Sequence, residues 1–231
     1  MAKFIAWTVL VAVLLLGAAS SAKAQKADGA YPRMAPLEQY LMADRDAEIV
    51  LAKSAAPKAI SDDGEVMALD RQGYRTVVRG SNGFVCLVQR SWTAGIDAAE
   101  FWNPKIRAPI CFNAAAVRSY LPIEIAKTDA ALAGAQTVDA MRVALDKEKL
   151  PTPEAGAMCY MMSKEGYLND QDKRWHPHLM FFVPLTDAKA WGANLLGSPI
   201  LAGQDPHDRV TIFLVPVAKW SDGSADSHDQ K

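Results

Sequence analysis

Glu65-Val66-Met67-Ala68-Leu69, Tyr74-Arg75-Thr76-Val77-Val78-Arg79 and Phe84-Val85-Cys86-Leu87-Val88-Gln89 are three runs of strand length, rich in Val, Thr and aromatic residues. Asp62-Asp63-Gly64, Arg71-Gln72-Gly73 and Ser81-Asn82-Gly83 punctuate them. Asn82-Gly83 is the strongest turn signal, because both residues tolerate the positive φ of a tight hairpin. The expected unit is a three-stranded antiparallel meander.

Upstream, from Pro36 to Ser54, apolar residues recur at Leu37, Tyr40, Leu41, Ala47, Val50 and Leu51, the spacing that lays one stripe along a helix, and Pro57 stops it. Downstream, Ser91 to Asn113 holds two Trp and two Pro without a period, and reads as an ordered loop anchored by Trp92, Phe101 and Trp102. Asn113 can cap a short helix that Pro122 ends. Thr137 can cap another in which Val138, Met141 and Leu145 share a face. Strands return at Ala157 to Met162, Leu179 to Leu185 and Val210 to Val217, the last apolar enough to suggest a central strand covered on both sides.

This order gives an α+β fold: a mainly antiparallel sheet of five to seven strands with helices on one face, or alternatively a partly closed β-barrel. The domain expected is residues 25–221, with 222–231 as a flexible tail.

Lys3, the apolar run Phe4 to Gly17 and the small residues around Ala22-Lys23-Ala24 form a secretory signal peptide over 1–24. The run is short for a membrane span, and no further membrane-length segment follows. The first cysteine is Cys86, which argues against a lipid-anchored start. The implied address is periplasmic or extracellular. Formal net charge is −1, too small and too mixed to advertise nucleic acid or an anionic membrane as a partner. Half of the 231 residues are apolar, enough for a core without obligatory disulfides.

Of the three cysteines, Cys86 lies in a strand-like run and Cys111 just after a Pro-containing loop, so a Cys86–Cys111 bridge would pin that loop to the sheet. Such a bridge is worth about 3 kcal/mol on the chain-entropy account. Three pairings are possible, and three buried thiols are the alternative. Cys159, in the apolar run Met158-Cys159-Tyr160-Met161-Met162, reads as a packed core thiol rather than a nucleophile.

Trp175-His176-Pro177-His178 is the sharpest chemical feature. In an extended segment residues two apart share a side, so His176 and His178 could reach one divalent metal ion, with His207 as a third ligand. The plainer alternative is a hydrogen-bonded pair closing a loop. Nearby Met158, Met161, Met162 and Met180 would suit copper(I), but Met is also the usual gap-filler of cores. Trp92, Trp102 and Trp175 could supply flat apolar walls for a small molecule, or serve as core anchors. Phosphate-binding Gly-rich loops, Gly-x-Ser-x-Gly elbows and His-Glu-x-x-His helices are missing.

Gly80-Ser81-Asn82-Gly83-Phe84-Val85-Cys86-Leu87-Val88, Asn103-Pro104-Lys105-Ile106-Arg107 and Trp175-His176-Pro177-His178-Leu179-Met180 resemble a group of uncharacterised exported bacterial proteins with no named activity. The resemblance runs from about Ile49 to Ser221; it implies a single unit and a bacterial host, and carries over no catalytic residue. The sequence therefore points to an exported small-ligand or metal-binding module, with a His-based hydrolytic enzyme or an envelope interaction protein as alternatives.

Overall fold

The run that opens the sheet is a hairpin: β1 (Glu65–Asp70) pairs antiparallel with β2 (Gly73–Val78). The meander stops there. Instead of lying beside β2, β3 (Val85–Gln89) crosses to the far side of β1 and pairs with it in parallel, Glu65 opposite Val85 and Val66 opposite Cys86. Gly80 makes the crossing possible, because a Cβ there would sit 2.1 Å from the Glu65 amide nitrogen. Asn82 and Gly83 serve this crossing rather than a two-residue hairpin: the Asn82 side chain donates to the Ile60 carbonyl at 2.7 Å and accepts from the Phe84 amide at 3.0 Å.

A computed structural model describes residues 30–227; the signal segment 1–24 and the last four residues of the expected tail lie outside the described residues. The fold is α+β, with five helices and an eight-stranded mixed sheet that does not close, in the order β2-β1-β3-β4-β5-β6-β8-β7. The remaining strands are β4 (Ala108–Phe112), β5 (Met158–Met161), β6 (His178–Pro184), β7 (Leu201–Asp205) and β8 (Val210–Pro216). The sheet has one strand more than the expected range allows, and the barrel alternative is excluded by the free edges at β2 and β7. β4 lies inside the segment read as loop, where Pro109 disguised it. Proline is tolerated there because β5 pairs only with Cys111 and Phe112, leaving that side of Pro109 without a strand. β7 is short of apolar residues because it is an edge; Asn194 matches its Ala202 backbone, donating to the carbonyl at 2.8 Å and accepting from the amide at 2.9 Å. β8 is second from that edge, not central.

Helices cover both faces, not one. Strand alternation sends Cys86, Val88 and Cys111 to one face of the sheet and Leu87, Gln89, Ile110 and Phe112 to the other. On the first face lies α1 (Arg45–Lys53), followed by the single turn α2 (Lys58–Ser61). The expected helix from Pro36 begins only at Arg45, because Asp44 caps it, accepting from the Asp46 and Ala47 amides at 2.9 and 3.0 Å. Its buried residues are Glu48 and Ala52, while Val50, counted in the apolar stripe, faces solvent. Ala52, Ala55 and Ala56 are small enough for the helix end to rest directly on the Cys86–Cys111 disulfide, which joins residues directly opposite on β3 and β4.

The second face carries α3 (Ala114–Ser119), α4 (Leu121–Leu132) and α5 (Val138–Leu145). Asn113 and Thr137 cap α3 and α5 by accepting from the Ala116 and Ala140 amides. Pro122 does not end a helix; it occupies the first turn of α4, where its missing N–H costs nothing. The segment read as a tail also folds back as far as it is described. Within it, the Ser224 carbonyl accepts from the Trp220 amide and the Asp226 amide donates to the Ala218 carbonyl, both at 2.9 Å. Among the described residues no helix is long and apolar enough to cross a membrane, and the disulfide is compatible with export.

Gly80→Ala should cost at least about 2 kcal/mol, since the added methyl meets main chain that cannot move aside. Denaturant unfolding measures this; a variant as stable as the parent would show that the crossover has slack.

Candidate functional site

Beyond α3 and α4 the helical face of the sheet continues without a helix above it. The register places Met161 opposite His178 and Met180 opposite Leu214, with Ile212 opposite Phe182. Tyr120, at the junction of α3 and α4, stacks on Phe182 with ring centroids 3.7 Å apart and marks where the helical cover ends. From there the face is roofed by the segment after β3 and the segment before β6. A cavity of about 480 Å³ lies between roof and strands, in the size range of small-molecule sites. Met161, Met180, Ile212 and Leu214 form its floor, Ile106, Leu168 and Trp175 its walls, and Ala94, Ala98 and Ala99 its exposed rim. A larger hollow of about 690 Å³ over α3, α4 and α5 is bordered by the exposed charges Asp129, Lys147 and Glu148, and no unpartnered buried polar atom belongs to it.

The two roofing segments are tied to each other. Asp170 accepts hydrogen bonds from the hydroxyls of Tyr167 (2.6 Å) and Tyr31, from Lys105 Nζ (3.1 Å) and from Asn103 Nδ2 (3.2 Å). The Tyr167 and Tyr31 hydroxyls hold its carboxyl well below the usual carboxylate range. Its own amide donates to Glu100 Oε1 at 3.0 Å, and Arg107 and Tyr167 exchange two backbone bonds of 2.8 Å. The cavity walls are thus cross-braced rather than merely adjacent.

Three of the polar residues that line this space bear on what it can hold. His178, 3 % exposed, donates Nδ1–H to the His176 carbonyl at 2.7 Å, so Nε2 carries the lone pair. Burial pushes its pKa below the ordinary histidine value. Ser91 Oγ is buried without a hydrogen-bond partner among the described residues. Tyr120 also lines the cavity, and burial pushes the pKa of its hydroxyl well above the ordinary value, so it stays protonated.

The residues singled out in the sequence are only partly brought together. Trp175 and His178 line the cavity. Trp92 and Trp102 do not; both are completely buried in the main core, where Trp92 meets Tyr40 with centroids 4.7 Å apart and donates Nε1–H to Thr128 Oγ1 at 3.1 Å. His176 pairs its Nδ1 with Asp226 at 2.5 Å. His207 lies elsewhere, 3.8 Å from Asp146 in a cleft with Lys149 and Pro151. β6 begins at His178, so His176 stands outside the strand and the rule that residues two apart share a side does not apply to it. Among the described residues no group of three or more His, Cys, Asp or Glu is placed to hold a metal ion. Cys159 is a buried thiol whose pKa is raised by desolvation, as expected of a packed core residue.

Sequence reading missed the buried charges. Lys127, on the sheet side of α4, pairs with Asp208, lies 3.9 Å from Asp205 and donates to the Ala94 carbonyl at 3.1 Å. One turn earlier Glu124 accepts from Gln89 Nε2. The signal was available in Leu121-Pro122-Ile123-Glu124-Ile125-Ala126-Lys127, where Glu and Lys three apart must share a helix face. No protein-family model, curated protein or solved structure matches the chain.

Burial pushes the Glu124 carboxyl up to about 8 from an ordinary 4.5. The folded state therefore holds this proton more tightly than the unfolded chain, so its contribution to stability is intact below about pH 4.5 and is lost as pH rises through about 8. Glu124→Gln should gain stability over the parent progressively from pH 5 to 8. Parallel urea titrations measure the gap; a gap that stays constant with pH would show that Glu124 is ionised throughout.

Proposed function

We propose that the chain is an exported binding protein that takes a small, largely apolar molecule into the cavity over β5, β6 and β8. The carrying observation is a braced hollow of about 480 Å³ whose floor is Met161, Met180, Ile212 and Leu214, of which Met180, Ile212 and Leu214 are apolar side chains only partly covered by the protein. Trp175 adds a flat wall against which a ring can lie. Export is supported by the charged start, the apolar run Phe4 to Gly17 and the Cys86–Cys111 disulfide, which suit a periplasmic or extracellular working place. Binding is favoured over hydrolysis because the best placed thiol, Cys159, is sealed in the core, and because His178 is accompanied by no second histidine or carboxylate in metal-ligand geometry among the described residues.

Titration with the neutral dye N-phenyl-1-naphthylamine should give a saturable rise in dye emission and a change in tryptophan emission. Leu214→Trp, which fills the floor, should weaken dye binding by about tenfold or more, equivalent to 1.4 kcal/mol, while leaving the thermal transition in place. Absence of saturation, or a Leu214→Trp protein that binds like the parent, would remove the cavity as the site.

A further inference from the structure

The polar groups around the cavity select for charge as well as shape. Among the residues that line it, the one Lys or Arg side chain is already spent inside the protein. Arg90, which borders the cavity, donates Nε–H to the Tyr40 carbonyl at 2.6 Å, one terminal nitrogen to the Val88 carbonyl and the other to Glu48 at 2.8 Å. Lys127 is held by Asp208 and the Ala94 carbonyl. A carboxylate entering the cavity would lose its water and find no unpaired positive group, which is costly. Glu100, the carboxylate at the rim, accepts only from the neutral Asn103 Nδ2 at 2.8 Å and the Asp170 amide, and so adds repulsion of a second carboxylate.

The groups that remain unspent are neutral and of both hydrogen-bonding kinds. His178 Nε2 offers a lone pair, since its other ring nitrogen donates to a carbonyl. Ser91 Oγ, on a residue only 3 % exposed, and the Tyr120 hydroxyl can each donate and accept. A ligand that pairs with these groups preserves their hydrogen bonding when it displaces water from the cavity, whereas one without a polar group leaves them unpaired. Resting on the cavity being the binding site, we infer that the ligand class is uncharged apolar alcohols or phenols, whose hydroxyl donates to His178 Nε2 while the apolar body lies on Met180, Ile212 and Leu214 against Trp175. The corresponding carboxylic acids are rejected.

Displacement of N-phenyl-1-naphthylamine at pH 7 by 2-naphthol, naphthalene and 2-naphthoate tests this on the disulfide-bonded protein. 2-Naphthol should bind at least about fivefold more tightly than naphthalene, the gain of one net hydrogen bond, and 2-naphthoate should be the weakest of the three. His178→Phe should bring the ratio of naphthol to naphthalene affinity to about one. Should that variant fail to fold, the imidazole ¹⁵N resonance of His178 Nε2 in the parent decides: it should move with 2-naphthol and stay with naphthalene. Equal binding of naphthol and naphthalene, or an unmoved resonance, overturns the hydroxyl inference and leaves the cavity standing. Tighter binding of naphthoate overturns the exclusion of charge. Failure of the dye and all three probes to bind overturns the cavity itself.

Discussion

The guanidinium of Arg90 is the point on which the two halves of this molecule depend. It stands just after β3 and is completely buried, with each nitrogen matched to an acceptor: the Tyr40 carbonyl in the segment before α1, the Val88 carbonyl of β3, and Glu48 on α1. Glu48 Oε1 in turn accepts from the Leu69 amide of β1 at 3.2 Å. One side chain thus fixes the positions of α1, β1, β3 and the amino-terminal segment together. An ion pair so buried is weak evidence for net stability, because removing two charges from water offsets most of their attraction. Its geometric consequence is clearer. Removing either partner strands a charge in a dry interior, so alternatives in which α1 shifts along the sheet are strongly disfavoured.

The backbone of Arg90 extends that constraint to the cavity. Its carbonyl accepts from the Thr93 amide at 3.1 Å and from Thr93 Oγ1 at 2.9 Å, turning the chain at the entrance to the roofing segment. Trp92 then drives into the core against Tyr40, whose hydroxyl donates to the Trp102 carbonyl at 2.7 Å. Both ends of the first roofing stretch are therefore anchored by buried aromatics. The tryptophans that resembled ligand walls act one step back, as the footings of the loop that forms those walls.

How much of this was legible follows from what kind of signal each element gives. β1, β2, β3, β6 and β8 announce themselves through β-branched and aromatic runs, while the Cys86–Cys111 pairing was one of three the sequence allowed, and its basis is that the two residues stand opposite each other on β3 and β4. Topology was not legible, because a Gly that permits a chain crossing and a Gly that permits a hairpin look alike; only the 2.1 Å approach at Gly80 separates them. Pro109 and Pro122 misled in opposite directions, one concealing a strand, the other reading as a helix stop where it is a helix start. α1 was mispositioned because its inner face is Glu48 and Ala52, chosen for an ion pair and for clearance over the disulfide rather than for hydrophobicity. At the site, Trp175 and His178 were visible as a cluster of unusual residues. Tyr120 and Ser91 were not, since a hydroxyl brought to a cavity by the folding of the chain around it leaves no pattern in the sequence.

The hollow itself has a physical origin in how the sheet is covered. A helix laid on strands fills the space above them with side chains projecting every three or four residues, and α3 and α4 do this as far as Tyr120 on Phe182. Past that point the cover consists of irregular segments, whose backbone must find its own hydrogen bonds and so turns on itself instead of pressing onto the strands. The Asp170 cluster shows where those bonds go: into the roof, joining residues 100–107 to 167–170, and not downward to the floor. A roof that is self-sufficient in hydrogen bonds does not need to collapse, and a floor of Met, Ile and Leu gives it nothing polar to collapse onto. The space between them persists because the two surfaces satisfy themselves separately, and the ligand we propose for it is one whose demands are mainly apolar and whose polar contact is met by the few groups, His178 foremost, that belong to neither network.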